Sequence, residues 1–172
     1  MAETSYDYEQ SLTPSSVIVG VDEVGRGPLA GPVVAAAAMI DRADPIEGLR
    51  DSKALSEKRR EALTLVIQAR ALVALGAVSA AEIDRLGIAP ATDLAMRRAV
   101  LALAPPPGAA IIVDGNRVPD LGAQTTIAEV KADGSCPSVA AASIVAKVTR
   151  DRAMVRLSER FPDYHWHTNK GY

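Results

Sequence analysis

The stretch that decides the architecture is Val17-Ile18-Val19-Gly20-Val21-Asp22-Glu23-Val24-Gly25-Arg26-Gly27-Pro28. Its first five residues are apolar and rich in β-branched side chains, the composition of a short strand buried on both faces. Two carboxylates follow at once, then a glycine-rich turn that continues to Gly31-Pro32. Open α/β sheets bind ligands beyond the carboxyl ends of their strands. A buried strand with an acidic exit therefore marks a candidate site.

Working outward, Val33 to Ile40 reads as a second strand, although its four alanines leave helix open. Asp41 to Lys53 is a polar loop. Ser56 is an N-cap for a helix that carries Leu63, Val66 and Ile67 at helical spacing. Leu72 to Val78 reads as a third strand. Ser79-Ala80-Ala81-Glu82 has the capping-box form and predicts a short helix. Pro90 to Leu103 is a further helix, ended by Pro105-Pro106-Pro107-Gly108. Ala110 to Val113 and Thr126 to Lys131 are a fourth and a fifth strand. Pro137 opens a long helix that runs to about Arg160. Residues 1–16 are polar and read as a flexible tail, and residues 17–172 as one domain. Strands followed by alternating strands and helices imply the α/β class, a mixed sheet with helices packed on it.

Composition narrows the function classes. A chain of 172 residues suits one domain, and 48% apolar with 23% charged residues excludes a mainly disordered state. Aromatics are 3%, so Val, Leu, Ile and Ala must build the core. A net charge of −2 excludes a protein basic all over, while leaving room for a local basic groove. Cys136 is the single cysteine, which excludes an intrachain disulfide and a cysteine zinc site. The N-terminal residues have no basic start and no apolar stretch, and the longest nearly apolar run, Pro28 to Ile40, is too short to span a bilayer. The expectation is a cytoplasmic monomer with no membrane segment.

Asp22-Glu23 follows the first strand, Asp114 the fourth, and Asp133 comes soon after the fifth. Any one of these acids is an ordinary turn former. If the strands are neighbours, four carboxylates converge, and they repel one another unless cations compensate. Hard divalent cations with oxygen ligands do so, and the two histidines, His165 and His167, form no rival cluster. Mg²⁺ or Mn²⁺ held by carboxylates is suited to phosphodiester hydrolysis. The Gly25-Arg26-Gly27 turn lets a backbone approach a ligand closely. Lys53, Lys131, Lys147, Arg150 and Lys170 are candidate phosphate contacts, whereas Arg59, Arg60, Arg97 and Arg98 read as helix-surface residues and Tyr164 and Trp166 as packing. Ser143 either packs against the sheet or reaches a phosphate.

Val21-Asp22-Glu23-Val24-Gly25-Arg26-Gly27-Pro28-Leu29-Ala30-Gly31-Pro32-Val33 resembles the opening motif of ribonuclease HII. Asp51-Ser52-Lys53-x-Leu55-Ser56, Asp114-Gly115-Asn116, Lys131-Ala132-Asp133 with residues 140–151, and Asn169-Lys170-Gly171-Tyr172 are similar to its later blocks. The resemblance implies a ribonuclease H-like fold with a five-stranded mixed sheet flanked by helices. It implies an endonuclease for the RNA strand of RNA–DNA hybrids that also incises duplex DNA 5′ to single embedded ribonucleotides, leaving 3′-hydroxyl and 5′-phosphate ends. Asp22, Glu23, Asp114 and Asp133 would be its metal-binding catalytic carboxylates. Gly25, Arg26 and Gly27 would read the 2′-hydroxyl, and Tyr172 would pack on the sugar at the junction. Lys53, Asn116, Lys131, Ser143 and Lys147 would be further substrate contacts. Two features depart from the family: Ala132 stands where Gly is usual, and the chain stops at Tyr172, where the family usually continues with a helical segment. The rival readings are a type 3 ribonuclease H or related nuclease, and a weakly active or non-catalytic binder of RNA–DNA junctions.

Overall fold

Strand β1 (Ile18–Val24) occupies the centre of the sheet. The computed structural model describes residues 4–122 and 125–172. On one side β1 pairs antiparallel with β2 (Val33–Ile40), which pairs antiparallel with β3 (Ala71–Val78). On the other it pairs parallel with β4 (Ala110–Asp114), which pairs parallel with β5 (Thr125–Glu129). The order β3-β2-β1-β4-β5 is the expected five-stranded mixed sheet. The helices are α1 (Tyr6–Ser11), α2 (Glu57–Arg70), α3 (Ala80–Leu86), α4 (Ile88–Leu103), α5 (Pro137–Arg160) and α6 (Trp166–Asn169). Among the described residues no helix is long and apolar enough to cross a membrane.

The alternation of strand side chains sorts the core into two layers. Val19, Val21, Val33, Ala35, Ala37, Ile111 and Val113 pack with Ala91, Ala95 and Ala99 of α4. Ala36 and Ala38 pack on the opposite face with Ile144 and Val145 of α5 and Leu63 and Ile67 of α2. A strand covered by helices on both sides is apolar on both faces. That resolves β2, where the alanines left helix open: small side chains admit both helical layers, and packing overrides alanine's helix preference. Close approach is strict at Gly20, where a Cβ would stand 2.1 Å from the Ser138 backbone of α5. At Gly76 in β3, a Cβ would stand 2.1 Å from Ala95 O of α4.

The capping box at Ser79 and Glu82 forms as expected, with Ser79 N–H donating to the Glu82 carboxylate at 2.9 Å. Several boundaries move. β5 ends at Glu129, because Lys131 takes a left-handed conformation (φ 60°) and leads into a single 3₁₀ turn, Ala132–Gly134. The loop from Asp41 to Lys53 is not wholly polar in its packing, since Ile46 and Leu49 join the core. Cys136 is buried, and burial pushes its thiol up to about 12, which makes it an inert packing group.

The flexible tail expected over residues 1–16 is corrected in its described part, residues 4–16. Here Tyr6–Ser11 is helical and docked. Residues 1–3 lie outside the described residues. The Glu9 carboxylate is 3% exposed and accepts from Ser138 N–H at 2.9 Å and from the Ser138 hydroxyl. It thus caps the N-terminus of α5, whose first amides have no intrahelical partner. Tyr6 Oη accepts from Ile46 N–H, and Tyr8 Oη donates to Glu129. The polar composition suggested a tail because the side chains that anchor it are themselves polar, the buried Glu9 carboxylate among them.

Glu9→Ala leaves the Ser138 amide buried and unpaired, and is expected to cost about 1–3 kcal/mol in urea unfolding. Burial raises the Glu9 pKa above its ordinary 4.5, outweighing the Ser138 hydrogen bonds. The folded state therefore binds more protons than the unfolded state just above pH 4.5, and Glu9's contribution to stability declines as pH rises through that window. Glu9→Gln is expected to remove this share of the slope, as read by unfolding curves collected from pH 4 to 8.

Candidate active site

The register of β1 against β4 aligns the acids. Val21 pairs with Val113, so Asp22 and Asp114, the next residues, stand at the same level of adjacent strands. Both point to the α5 face, since their strand neighbours Val21 and Val113 belong to the α4 face. Asp22 is 6% exposed, accepts from Glu23 N–H at 2.8 Å and is hydrogen-bonded by Ser143 of α5. Asp114 accepts from Ala132 N–H at 2.8 Å and from the Asp133 amide, so the turn after β5 is pinned to the exit of β4.

Asp22, Glu23 and Asp114 line one pocket of about 550 Å³ together with Gly25, Arg26, Gly27, Ser52, Lys53, Ser143, Lys147 and Tyr172. Asp133 is not part of that wall. It is buried beside Asp114, and the Asp51 carboxylate faces it and raises its pKa further. Burial is the largest cause raising the pKa of each of the four acids. Repulsion adds to it, and Asp114 is the common source: it raises Asp22, Glu23 and Asp133. Opposing this, the Arg26 guanidinium, 3.6 Å from Glu23, draws that carboxyl down, and Lys53 does the same for Asp114 and Asp133. In every case desolvation wins.

The donor chemistry fits a hard cation, because every candidate ligand is a carboxylate oxygen and the buried negative charge exceeds what Arg26 and Lys53 relieve. Among the described residues, no three His, Cys, Asp or Glu groups are close enough to form a ready cage. The acids border a pocket and do not enclose a preformed ion site.

The other expected contacts divide. Lys53 is exposed at the pocket, on the Ser52–Ala54 turn, which Arg60 holds by donating to Ser52 O and Leu55 O. Arg60 is thus a positioning group and not the plain surface residue expected. Arg98 likewise ties α4 to Ala77 O and Glu82. Lys147 is held by Asp151 at 2.8 Å, with Nζ 6.0 Å from the Tyr172 ring centroid. Ser143, where packing and phosphate contact were both open, is buried, with its Oγ 2.9 Å from Ser52 Oγ. Asn116 and Lys131 are exposed outside the pocket wall. Lys170 turns its ammonium to His167 O, and Tyr164 and Trp166 stack at 4.9 Å.

Arg150 corrects an expectation. It is 0% exposed and spends its guanidinium on backbone carbonyls, so it is no phosphate contact. Ala132 has no positive φ; the left-handed residue is Lys131. Its methyl is buried with Ile18, Ile112 and Val139. Sequence reasoning gave no role to Asp51, which caps the turn by accepting from Lys53 N–H and faces Asp133. Its place two residues before Lys53 was the available signal.

The ribonuclease HII family model matches residues 19–172. A ribonuclease HII of Shewanella loihica is 54% identical over 161 residues, covering 92% of this chain and 77% of that protein. The structure of the PCNA:RNase HII complex from Archaeoglobus fulgidus contains a chain similar at a TM-score of 0.75 and 32% identity, over 84% of this chain and 78% of that one. Bst-RNase HIII, solved in complex with Mn²⁺, is similar at a TM-score of 0.74 and 27% identity, over 85% of this chain and 55% of that one. With a family match over nearly the whole chain and the same fold in solved relatives, this chain belongs to the ribonuclease HII family and is a ribonuclease H, a hydrolase.

Proposed function

We propose that the chain is an endonuclease that cuts the RNA strand of RNA–DNA hybrids and incises duplex DNA 5′ to a single embedded ribonucleotide. Mg²⁺ or Mn²⁺ would be held by Asp22, Glu23, Asp114 and Asp133. The observation that carries this reading is one pocket lined by three of these acids, the Gly25-Arg26-Gly27 turn and Tyr172. When bound, such cations supply Lewis acidity for activating water and for steadying the departing 3′-oxygen.

The chain's own groups do the rest. Ser143 and the Glu23 amide hold Asp22, and the Ala132 amide holds Asp114, so both acids keep fixed acceptor positions. Gly25 is buried with φ +115°, a conformation that side-chain-bearing residues rarely adopt, and it turns Arg26 and Gly27 outward to the pocket. A Cβ on Gly27 would stand 3.7 Å from the Tyr172 ring, so turn and ring face one another closely. Backbone amides beside an aromatic face suit a sugar whose 2′-hydroxyl distinguishes RNA from DNA. Lys147 and Lys53 offer positive charge for neighbouring phosphates.

Duplex DNA with one ribonucleotide, incubated with and without Mg²⁺, tests the reading. Metal-dependent cutting 5′ to the ribonucleotide is the expected result. Binding without cutting would support the junction binder, and cutting of long hybrids alone would support a type 3 activity. Asp114→Asn keeps an oxygen for the Ala132 amide but removes the charge that three other acids feel. It is expected to reduce cleavage by at least about 100-fold while melting no lower than the parent. Undiminished cleavage would contradict the assigned role. Tyr172→Ala is expected to cost about 10-fold in kcat/KM at a single ribonucleotide, on the order of 1–2 kcal/mol of ring contact, with a smaller loss on long hybrids.

A further inference from the structure

We propose that Arg150 is a positioning residue for ribonucleotide reading: it locks the glycine-rich turn and the Tyr172 segment into one unit. The proposal rests on the reading that this turn and Tyr172 contact the ribonucleotide.

The two segments are far apart in sequence and have no shared secondary structure. Arg150, within α5, joins them. Its Nε donates to Pro32 O, Nη2 to Ala30 O and Nη1 to Lys170 O, each at 2.9 Å. One more bond crosses the junction, from Leu29 N–H to Gly171 O at 2.9 Å. The space is filled. A Cβ on Gly25 would stand 2.7 Å from Arg150 Nε, one on Gly31 2.4 Å from Met154 Sδ, and one on Gly171 2.6 Å from Ala30 O. Gly25 and Gly31 thus leave room for the guanidinium and Met154, and Gly171 for the Ala30 carbonyl, where nothing larger fits.

A planar guanidinium presents its N–H groups in a rigid fork, and charge-assisted bonds to three carbonyls set the two segments against each other in one arrangement. Lysine keeps the charge on a flexible stem and cannot hold the three acceptors in that geometry. Arg150 is itself fully buried and touches no pocket surface, so it acts through the turn and Tyr172.

Arg150→Lys is the test, with two readouts on the folded protein. Amide hydrogen exchange should show the Leu29 amide losing protection by about 10-fold or more while the β4 amides keep theirs. The ratio of kcat/KM at a single ribonucleotide to that on a long hybrid should fall by about 10-fold. A residue that only supports the fold would lower both substrates in proportion to the folded fraction and leave the ratio unchanged. Gly171→Ala, which drives a methyl against Ala30 O from the other side of the junction, is the second variant and should shift both readouts the same way. An unchanged Leu29 amide, or an unchanged substrate ratio with a loosened amide, overturns the proposal. A parent that cuts no single ribonucleotide overturns the functional reading instead, and the Leu29 amide then still decides whether Arg150 locks the junction.

Discussion

Buried like charge is the constraint on which the molecule turns. Parallel pairing of β1 with β4 puts Asp22 beside Asp114, and α5 then covers them from the same face. Water is thereby excluded from groups that want it, and each acid also feels Asp114 or lies next to it. A fold does not gain stability from such an arrangement, since desolvation outweighs the help of Arg26 and Lys53. On the proposed reading, a dication bound there would relieve the repulsion that water cannot. Functional sites are where local rules of stability are broken and supported from outside.

That support comes largely from one helix. α5 is 24 residues long, on the order of 36 Å. Its N-terminus takes the Glu9 carboxylate and presses on Gly20 of β1. Further along, Ser143, Lys147, Arg150 and Met154 follow one another at four-, three- and four-residue steps, which is one face of a helix. Ser143 meets Asp22, Lys147 meets Tyr172, Arg150 holds the glycine-rich turn, and Met154 packs beneath Gly31 and Gly171. A single rigid element thus sets acids, cations and the turn in one frame.

Much of this was legible beforehand in particular residues. The acidic strand exits, the capping box at Ser79, Pro137 at the start of α5 and the glycine turn all carry local signals whose geometry needs no distant partner. Arg150 and Glu9 were misread for a common reason. A charged side chain looks solvent-facing until its partners are known, and theirs include backbone groups more than a hundred residues away. Backbone acceptors and donors leave no trace in residue type. Asp51 stood in a quoted motif without a role, because nothing in its neighbours along the chain shows that it faces another acid.

The amino-acid sequence alone determined the order of the five strands and of helices α2 to α5, the positions of the four carboxylates and the family, because periodicity, caps and motifs are properties of neighbouring residues. Only the tertiary structure decided that β2 is a strand despite its alanines, that Asp133 stands behind the pocket and not in its wall, and that Arg150 serves the backbone and not a phosphate. Each of those outcomes depends on which groups desolvate one another across the sheet. That is set by register and close packing, which no single stretch of chain contains.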